Sequence, residues 1–335
     1  MKRIAGFIFT LTLVFFANKA MSQTVAELQA NAKAFMSQGD YTNAILILNR
    51  ATQLEPQNIE IIKDLAISNY IQKDYTKALE VIKPALDMDA VDDQCYQIAG
   101  TIYRGLDQVK DCEKLYRKGI NKFPESGALY NELGELLSGK DAADAITEWE
   151  KGIEADPEYS KNYYNACRYY SVTNDKVWCV LYGELFVNME PMSSRTPEIK
   201  TIILDTYKKM FVETDLTKSN KEKNKFAATF IQTMNNQSNV AIQGINPESL
   251  TMIRTRFILD WFNGKSEKYP YKLFEYQQQL IKEGMFDAYN QWLFGTAQNL
   301  IAYQTWINNH ATEYGEFFRF QKGRTFKMPK NQYYR

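Results

Sequence analysis

The sequence predicts an all-α protein, with tandem two-helix repeats winding into a superhelix and an aromatic-rich helical domain after them. Three observations predict it. Small residues recur in two columns about 34 positions apart through the first half. Inside each such unit, two apolar stripes at helical spacing flank a turn. Residues 192–335 keep the helical period although the longer beat stops. Composition agrees: 335 residues, 45% hydrophobic and 24% charged, describe a chain able to build a core. Forty basic and forty acidic groups argue against a protein that works by gripping nucleic acid, which leaves a basic surplus.

The chain opens Met1-Lys2-Arg3 and then runs uncharged for 14 residues, from Ile4 to Ala17. That run is shorter than the ~20 residues of a membrane-spanning helix. With Ala20 and Ser22 behind it, the pattern reads as a signal peptide over residues 1–22, cleaved before Gln23. The expected location is therefore the periplasm or cell envelope. No cysteine precedes Cys95, so the label is not a lipoprotein one.

Residues 24–191 divide into five units. Ala44, Ala78, Cys112, Ala145 and Cys179 form one small column, spaced 34, 34, 33 and 34. Ala32, Ala66, Gly100, Gly134 and Cys167 form the other, spaced 34, 34, 34 and 33. Both place a one-residue deletion in Ser138-Gly139-Lys140-Asp141, where a turn absorbs it. In the first unit Leu28, Ala32 and Phe35 share one helical face and Ala44, Ile47, Leu48 and Ala51 another, with Gln38-Gly39-Asp40 between them. Pro56, Ala90, Pro124, Pro157 and Pro191 close the units on the same period. The small columns are expected to let paired helices approach closely, while larger neighbours fill the gaps.

This pattern resembles the tetratricopeptide repeat family. Tyr96, Tyr130 and Tyr163 match at the start of the later units, Phe35, Tyr103 and Tyr170 further along the first helix, and Tyr41 and Tyr75 at the turn. Asn31, Val109 and Phe186 depart from it. The resemblance implies a stack of helix pairs whose first helices line a groove that receives a protein or peptide. The inward positions are Lys33, Lys63, Tyr70, Gln97, Arg104, Asn131, Glu135, Lys161, Tyr164 and Arg168. Five are basic and one acidic, which suits a peptide carrying acidic groups or a free carboxylate. Glu132 and Thr101 interrupt the family's full carboxylate clamp. An ordinary solvated face is the other reading of the same positions.

Beyond the repeats, Ile199, Ile203 and Tyr207, then Phe226, Phe230 and Met234, mark helices on either side of a polar link at Lys218–Lys225. Asn246-Pro247 starts another helix, carrying Leu250, Ile253, Phe257, Ile258 and Trp261. Twenty of the 46 aromatic residues fall in the last 79 positions. Helical spacing assigns most of them to a core; the alternative is a module that binds a small ligand or glycan around Trp261, Trp292 and Trp306. The segment Phe257–Gly295 looks like the C-terminal part of exported tetratricopeptide-repeat proteins of Gram-negative bacteria and carries over no functional residue.

Motifs for catalysis are missing from the sequence. His310 is the only histidine and lies on an apolar stripe between Ile307 and Tyr314. The cysteines lack zinc-site spacing, and no phosphate loop or nucleophile elbow occurs. No enzyme activity, cofactor or metal is expected. Cys167 and Cys179 sit where the two small columns meet and read either as a disulfide or as two reduced core thiols. The stretch Phe317–Arg335 holds six basic residues and no acid, and is expected to be a solvated tail rather than a contact to anionic lipid.

Overall fold

The computed structural model describes residues 24–212, 224–242 and 244–335. The signal-peptide segment and residues 218–223 of the polar link lie outside the described residues. Among the described residues every regular element is helical, as the sequence predicts. The chain forms two compact units, one ending at Ala90 and one running from Val91 to Arg335.

The first unit holds α1 (Val25–Ser37), α2 (Tyr41–Leu54), α3 (Ile59–Ile71) and α4 (Tyr75–Ile82), closed by a 3-10 turn at Lys83–Asp87. Each helix start is capped. Thr24 and Glu27 cap α1 reciprocally, and Asp40, Asn58 and Asp74 each accept the backbone N–H three residues on. Such caps stabilise a helix by ~1 kcal/mol each. Leu28, Ala32, Ala44, Leu48, Ala51, Ile61 and Leu65 make the core, with Phe35 and Ile47 packed on it. The turns obey the 34-residue beat as well. Gly39, Lys73 and Asp107 all take positive φ, at 79°, 63° and 58°, so glycine's freedom is used once and strain accepted twice.

The second unit begins with three more helix pairs: α5 (Asp93–Gly105) with α6 (Val109–Lys122), α7 (Gly127–Ser138) with α8 (Ala142–Ala155), and α9 (Ser160–Ser171) with α10 (Lys176–Met189). Here the small column works differently from the simple expectation of backbone on backbone. A Cβ at Gly100 would stand 2.2 Å from the Tyr116 ring, and one at Gly134 would stand 2.3 Å from Trp149 Nε1. The partner helix therefore fills the missing side chain with a ring. In the fifth pair the roles exchange: Gly183 is the bare position, and a Cβ there would meet the Cys167 sulfur at 2.8 Å. Close packing tolerates this trade only because small and large change together.

The remaining helices build outward from the last pair, α11 (Thr196–Met210) and α12 (Lys225–Asn235) against it and α13 (Ser238–Ala241), α14 (Pro247–Phe262), α15 (Lys272–Lys282) and α16 (Phe286–Asn290) beyond. A single π-helical turn, Gln291–Gly295, leads to α17 (Thr296–Gln298), α18 (Leu300–Asn309) and α19 (Ala311–Gln321). Helix α10 is buried on all sides, from Val177 to Asn188, because α9 covers one flank and the later helices the other. The end of the repeats at residue 191 is thus a change of sequence pattern inside one packed body. The aromatic excess is largely core: Phe226 touches the rings of Trp178, Trp261, Tyr271, Phe274 and Tyr334, while Trp261 is fully buried and Trp292 nearly so.

The C-terminal segment corrects the expectation of a solvated tail. Met328 is buried, and Tyr334 stacks on Phe226 at 4.6 Å. Lys327 pairs with Glu158 at 2.6 Å, Lys330 with Glu125 at 2.8 Å, and Arg335 with Glu150 at 3.1 Å. The basic residues were placed by acids of the helix pairs, which a reading of the tail by itself could not include.

Candidate functional site

In the first unit, Lys33 is exposed and reaches toward Asp64 at 3.7 Å. Tyr70 is half-buried with its ring tilted against Tyr75. Lys63 departs from the expected inward, open position. It is only 4% exposed, and its ammonium lies 2.6 Å from Glu60. An ammonium so shielded cannot greet a ligand.

In the second unit the first helices of successive pairs, α5, α7 and α9, pack side by side, and α11 follows α9. Arg104 projects from α5 to Glu132 at 3.5 Å and Glu135 at 4.0 Å on α7. Gln97, two turns earlier, is half-buried, with its carbonyl taking the Thr101 hydroxyl. Asn131 is fully buried rather than presented. It donates to Glu135 at 3.0 Å and accepts from Asn165, 34 residues on, at 2.9 Å. Lys161 is exposed. Tyr164 donates its hydroxyl to Glu198 at 2.7 Å, and Arg168 reaches the other Glu198 oxygen at 3.1 Å. Arg195 lies over the Tyr164 ring at 4.9 Å, held by both oxygens of Glu190 at 2.9 Å.

Two corrections follow. The face does not lean basic, because Glu132, Glu135 and Glu198 stand beside Arg104, Lys161 and Arg168. Burial and the neighbouring Glu135 charge push the Glu132 carboxyl above its usual range, with Arg104 and Lys161 opposing. The inner row also extends one helix beyond residue 191. Glu198 lies 34 residues after Tyr164, so the period itself carried the signal, hidden by the loss of the small columns.

Behind this face lies a buried polar cluster that sequence reading missed. Glu184 on α10 accepts from Arg254 on α14, from Gln277 at 2.7 Å and from the Tyr289 hydroxyl at 2.7 Å. Arg254 also donates to Asn290, and Asn188 donates to Tyr289. All six side chains are at most 5% exposed. Nearby, Lys200 donates to the Trp292 carbonyl at 2.7 Å within the π-helical turn. Burial pushes its ammonium down to about 7. These groups tie α10 and α11 to the later helices, and each is enclosed by protein.

The remaining candidates resolve simply. The sulfurs of Cys167 and Cys179 lie 4.0 Å apart as free thiols, against about 2.05 Å in a disulfide. Cys112 donates to the Gly100 carbonyl at 3.3 Å. His310 stacks flat on Trp306 at 4.3 Å, with Nδ1 on the Trp306 carbonyl. Because Trp261 and Trp292 are interior, no tryptophan-lined ligand site forms around these three residues. Among the described residues no group of three or more His, Cys, Asp or Glu is arranged to hold a metal ion.

A family model described as tetratricopeptide repeat matches residues 35–102. No curated protein matches the chain. Solved structures similar to it include a tetratricopeptide repeat protein from Parabacteroides merdae, at 15% identity over 76% of this chain and 97% of the other, with a TM-score of 0.43. Another is MamA from Desulfovibrio magneticus RS-1, at 16% identity over 52% and 99%, TM-score 0.40. A third is YrrB, described as a repeat protein with an unusual peptide-binding site, at 15% identity over 53% and 92%, TM-score 0.37.

Proposed function

The chain carries tetratricopeptide repeats, and from that premise we propose that it is a non-catalytic scaffold that binds a peptide segment of a partner protein. One observation carries the reading. Along α5, α7, α9 and α11, the exposed side chains Arg104, Glu135, Lys161 and Arg168 and the half-buried Tyr164 have no part in the core. Their ion pairs, at 3.1 to 4.0 Å, are partly wet. Arg168–Glu198 is an exposed pair of the kind worth ~0–1 kcal/mol, so a ligand carboxylate can displace Glu198 from Arg168 at little cost. Tyr164, with Arg195 over its ring and its hydroxyl on Glu198, holds these charged groups at the surface. The partner's chemistry is therefore a peptide with acidic groups or a free C-terminal carboxylate.

A random peptide library selected on the immobilised protein, followed by calorimetry of the winning peptide, tests this. The double variant Arg104→Glu/Arg168→Glu should weaken binding about tenfold or more, the loss of one or two charge-assisted hydrogen bonds. Amidation of the peptide's C-terminus separates a terminal carboxylate from side-chain acids. Unchanged affinity in a double variant with native circular dichroism would sink the groove reading.

The proposal extends to location. The basic start, 14-residue uncharged run and small residues before Gln23 support export to the cell envelope, with residues 1–22 removed. Intact mass of protein recovered from the periplasm of an expressing bacterium should begin at Gln23. A cytoplasmic, full-length product is the opposite outcome.

A further inference from the structure

We propose that a cavity between α15 and the start of the C-terminal segment binds a small aromatic carboxylate. The cavity measures about 350 Å³ and lies wholly within the second unit. That volume is at the small end of ligand sites and fits one ring with a short acidic arm. It shares no residue with the peptide face, so the two readings stand or fall apart.

The walls are aromatic. Tyr276 on α15 stands 6.2 Å from Phe320 and 5.6 Å from Phe326, edge-on to the latter. Rings at these separations present faces and edges suited to a further planar group. Among the described residues, the Tyr276 hydroxyl has no hydrogen-bond partner, although Tyr276 is only half-exposed.

The polar lining is mostly donors. Arg324 lies over Phe320, its guanidinium carbon 4.0 Å from the ring centre, and has no carboxylate within ion-pairing distance among the described residues. A guanidinium held over a ring by its cation–π attraction still carries N–H donors that can grip a carboxylate with two bonds. The Gln321 amide nitrogen, from the same turn, is buried without a partner. A buried donor left unmade costs ~1–3 kcal/mol, so this nitrogen gains most from an acceptor placed beside it.

Charge fixes the sign of the ligand. The one acid on the lining, Glu275, is held by Lys272 at 3.2 Å, and Lys327 is taken by Glu158 at 2.6 Å. Arg324 is left as the cation without a carboxylate, which matches a single negative charge. The rings match the rest of the molecule. A ligand cation would face this surplus at close range, and a neutral ring would leave the guanidinium and the amide without an acceptor.

Phenylacetate is the probe. Calorimetric titration of the full chain should give one saturable site with a Kd of roughly 1 mM or tighter. Phenylacetamide, which keeps the ring and removes the charge, and acetate, which does the reverse, should each bind about tenfold more weakly or worse. Arg324→Met should cost a similar factor, whereas Lys322→Met, also exposed but off the lining, should leave affinity unchanged. Equal binding of phenylacetate and phenylacetamide overturns the proposal, as does full affinity in Arg324→Met. Absence of saturable heat from a protein with native circular dichroism overturns it outright. Competition by inorganic phosphate as strong as by phenylacetate would show an anion site without the ring requirement, and would overturn the aromatic assignment.

Discussion

Replacing Glu184 with leucine should cost the second unit about 3–5 kcal/mol, the range for removing one partner of a buried ion pair. The carboxylate is 2% exposed and gathers Arg254, Gln277 and Tyr289. Without it, a fully buried guanidinium keeps only Asn290 as an acceptor from this cluster. The cost is mostly that of the stranded charge, so a second change should return much of it. In Glu184→Leu/Arg254→Met no charge is buried, and the residual loss should fall to ~1–3 kcal/mol, from Gln277 and Tyr289 left without their acceptor. All five tryptophans, from Trp149 to Trp306, lie in the second unit. Denaturant unfolding followed by tryptophan fluorescence therefore reports that unit alone. A double variant as unstable as the single one, or a single variant within ~1 kcal/mol of the parent, would show that the pair does not carry the contact between α10 and α14.

The second large effect concerns Gly134. Glycine to alanine inside an exposed helix stabilises by ~1 kcal/mol through helix propensity. Here the sign should reverse, with a net loss of about 1–3 kcal/mol, because the added carbon falls 2.3 Å from Trp149 Nε1. Alanine facing leucine is what the first unit uses, at Ala32 and Leu48. Rebuilding that combination as Gly134→Ala/Trp149→Leu should cost less than the two single variants added together, by more than about 1 kcal/mol. Trp149 Nε1 has no hydrogen-bond partner among the described residues, so its removal strands no acceptor. The same fluorescence titration on the remaining four tryptophans settles it. Strict additivity would mean that the ring and the bare backbone are not exchanging volume.

These two sites show what could be read in the chain beforehand. The repeat was legible because each unit spends its small residues at fixed points, so Ala32, Ala66, Gly100 and Gly134 align without any structure. What fills the space beside them was not, since Tyr116 and Trp149 lie on the partner helix and break no local rule. Glu184 was visible as a lone acid between Val177 and Asn188, and Arg254 as a lone cation on the Leu250, Ile253, Ile258 face. Nothing local says that two such charges 70 residues apart share one interior. The inner face suffered from the same blindness. Its arginines were found from the period, but the carboxylates that neutralise them come from adjacent helices, and charge balance is a property of the assembled surface. Lys63 failed for another reason: its helical position faces inward, and burial rather than phase decides what a ligand meets.

The docked C-terminal segment changes how the second unit must come into being. A plain stack of helix pairs folds from any point outward, each pair needing only its neighbour. Here Lys330 reaches back 205 residues to Glu125 and Arg335 reaches back 185 to Glu150. Contacts of that span are made late, after the large loop between them has been closed at an entropic cost. During synthesis the helix pairs emerge first, with Phe226 lacking Tyr334 and Trp178 lacking Arg335 as cover until residues 327–335 follow. Residues 327–335 thus act as a clasp, and a chain that lacks them carries an open seam beside Phe226.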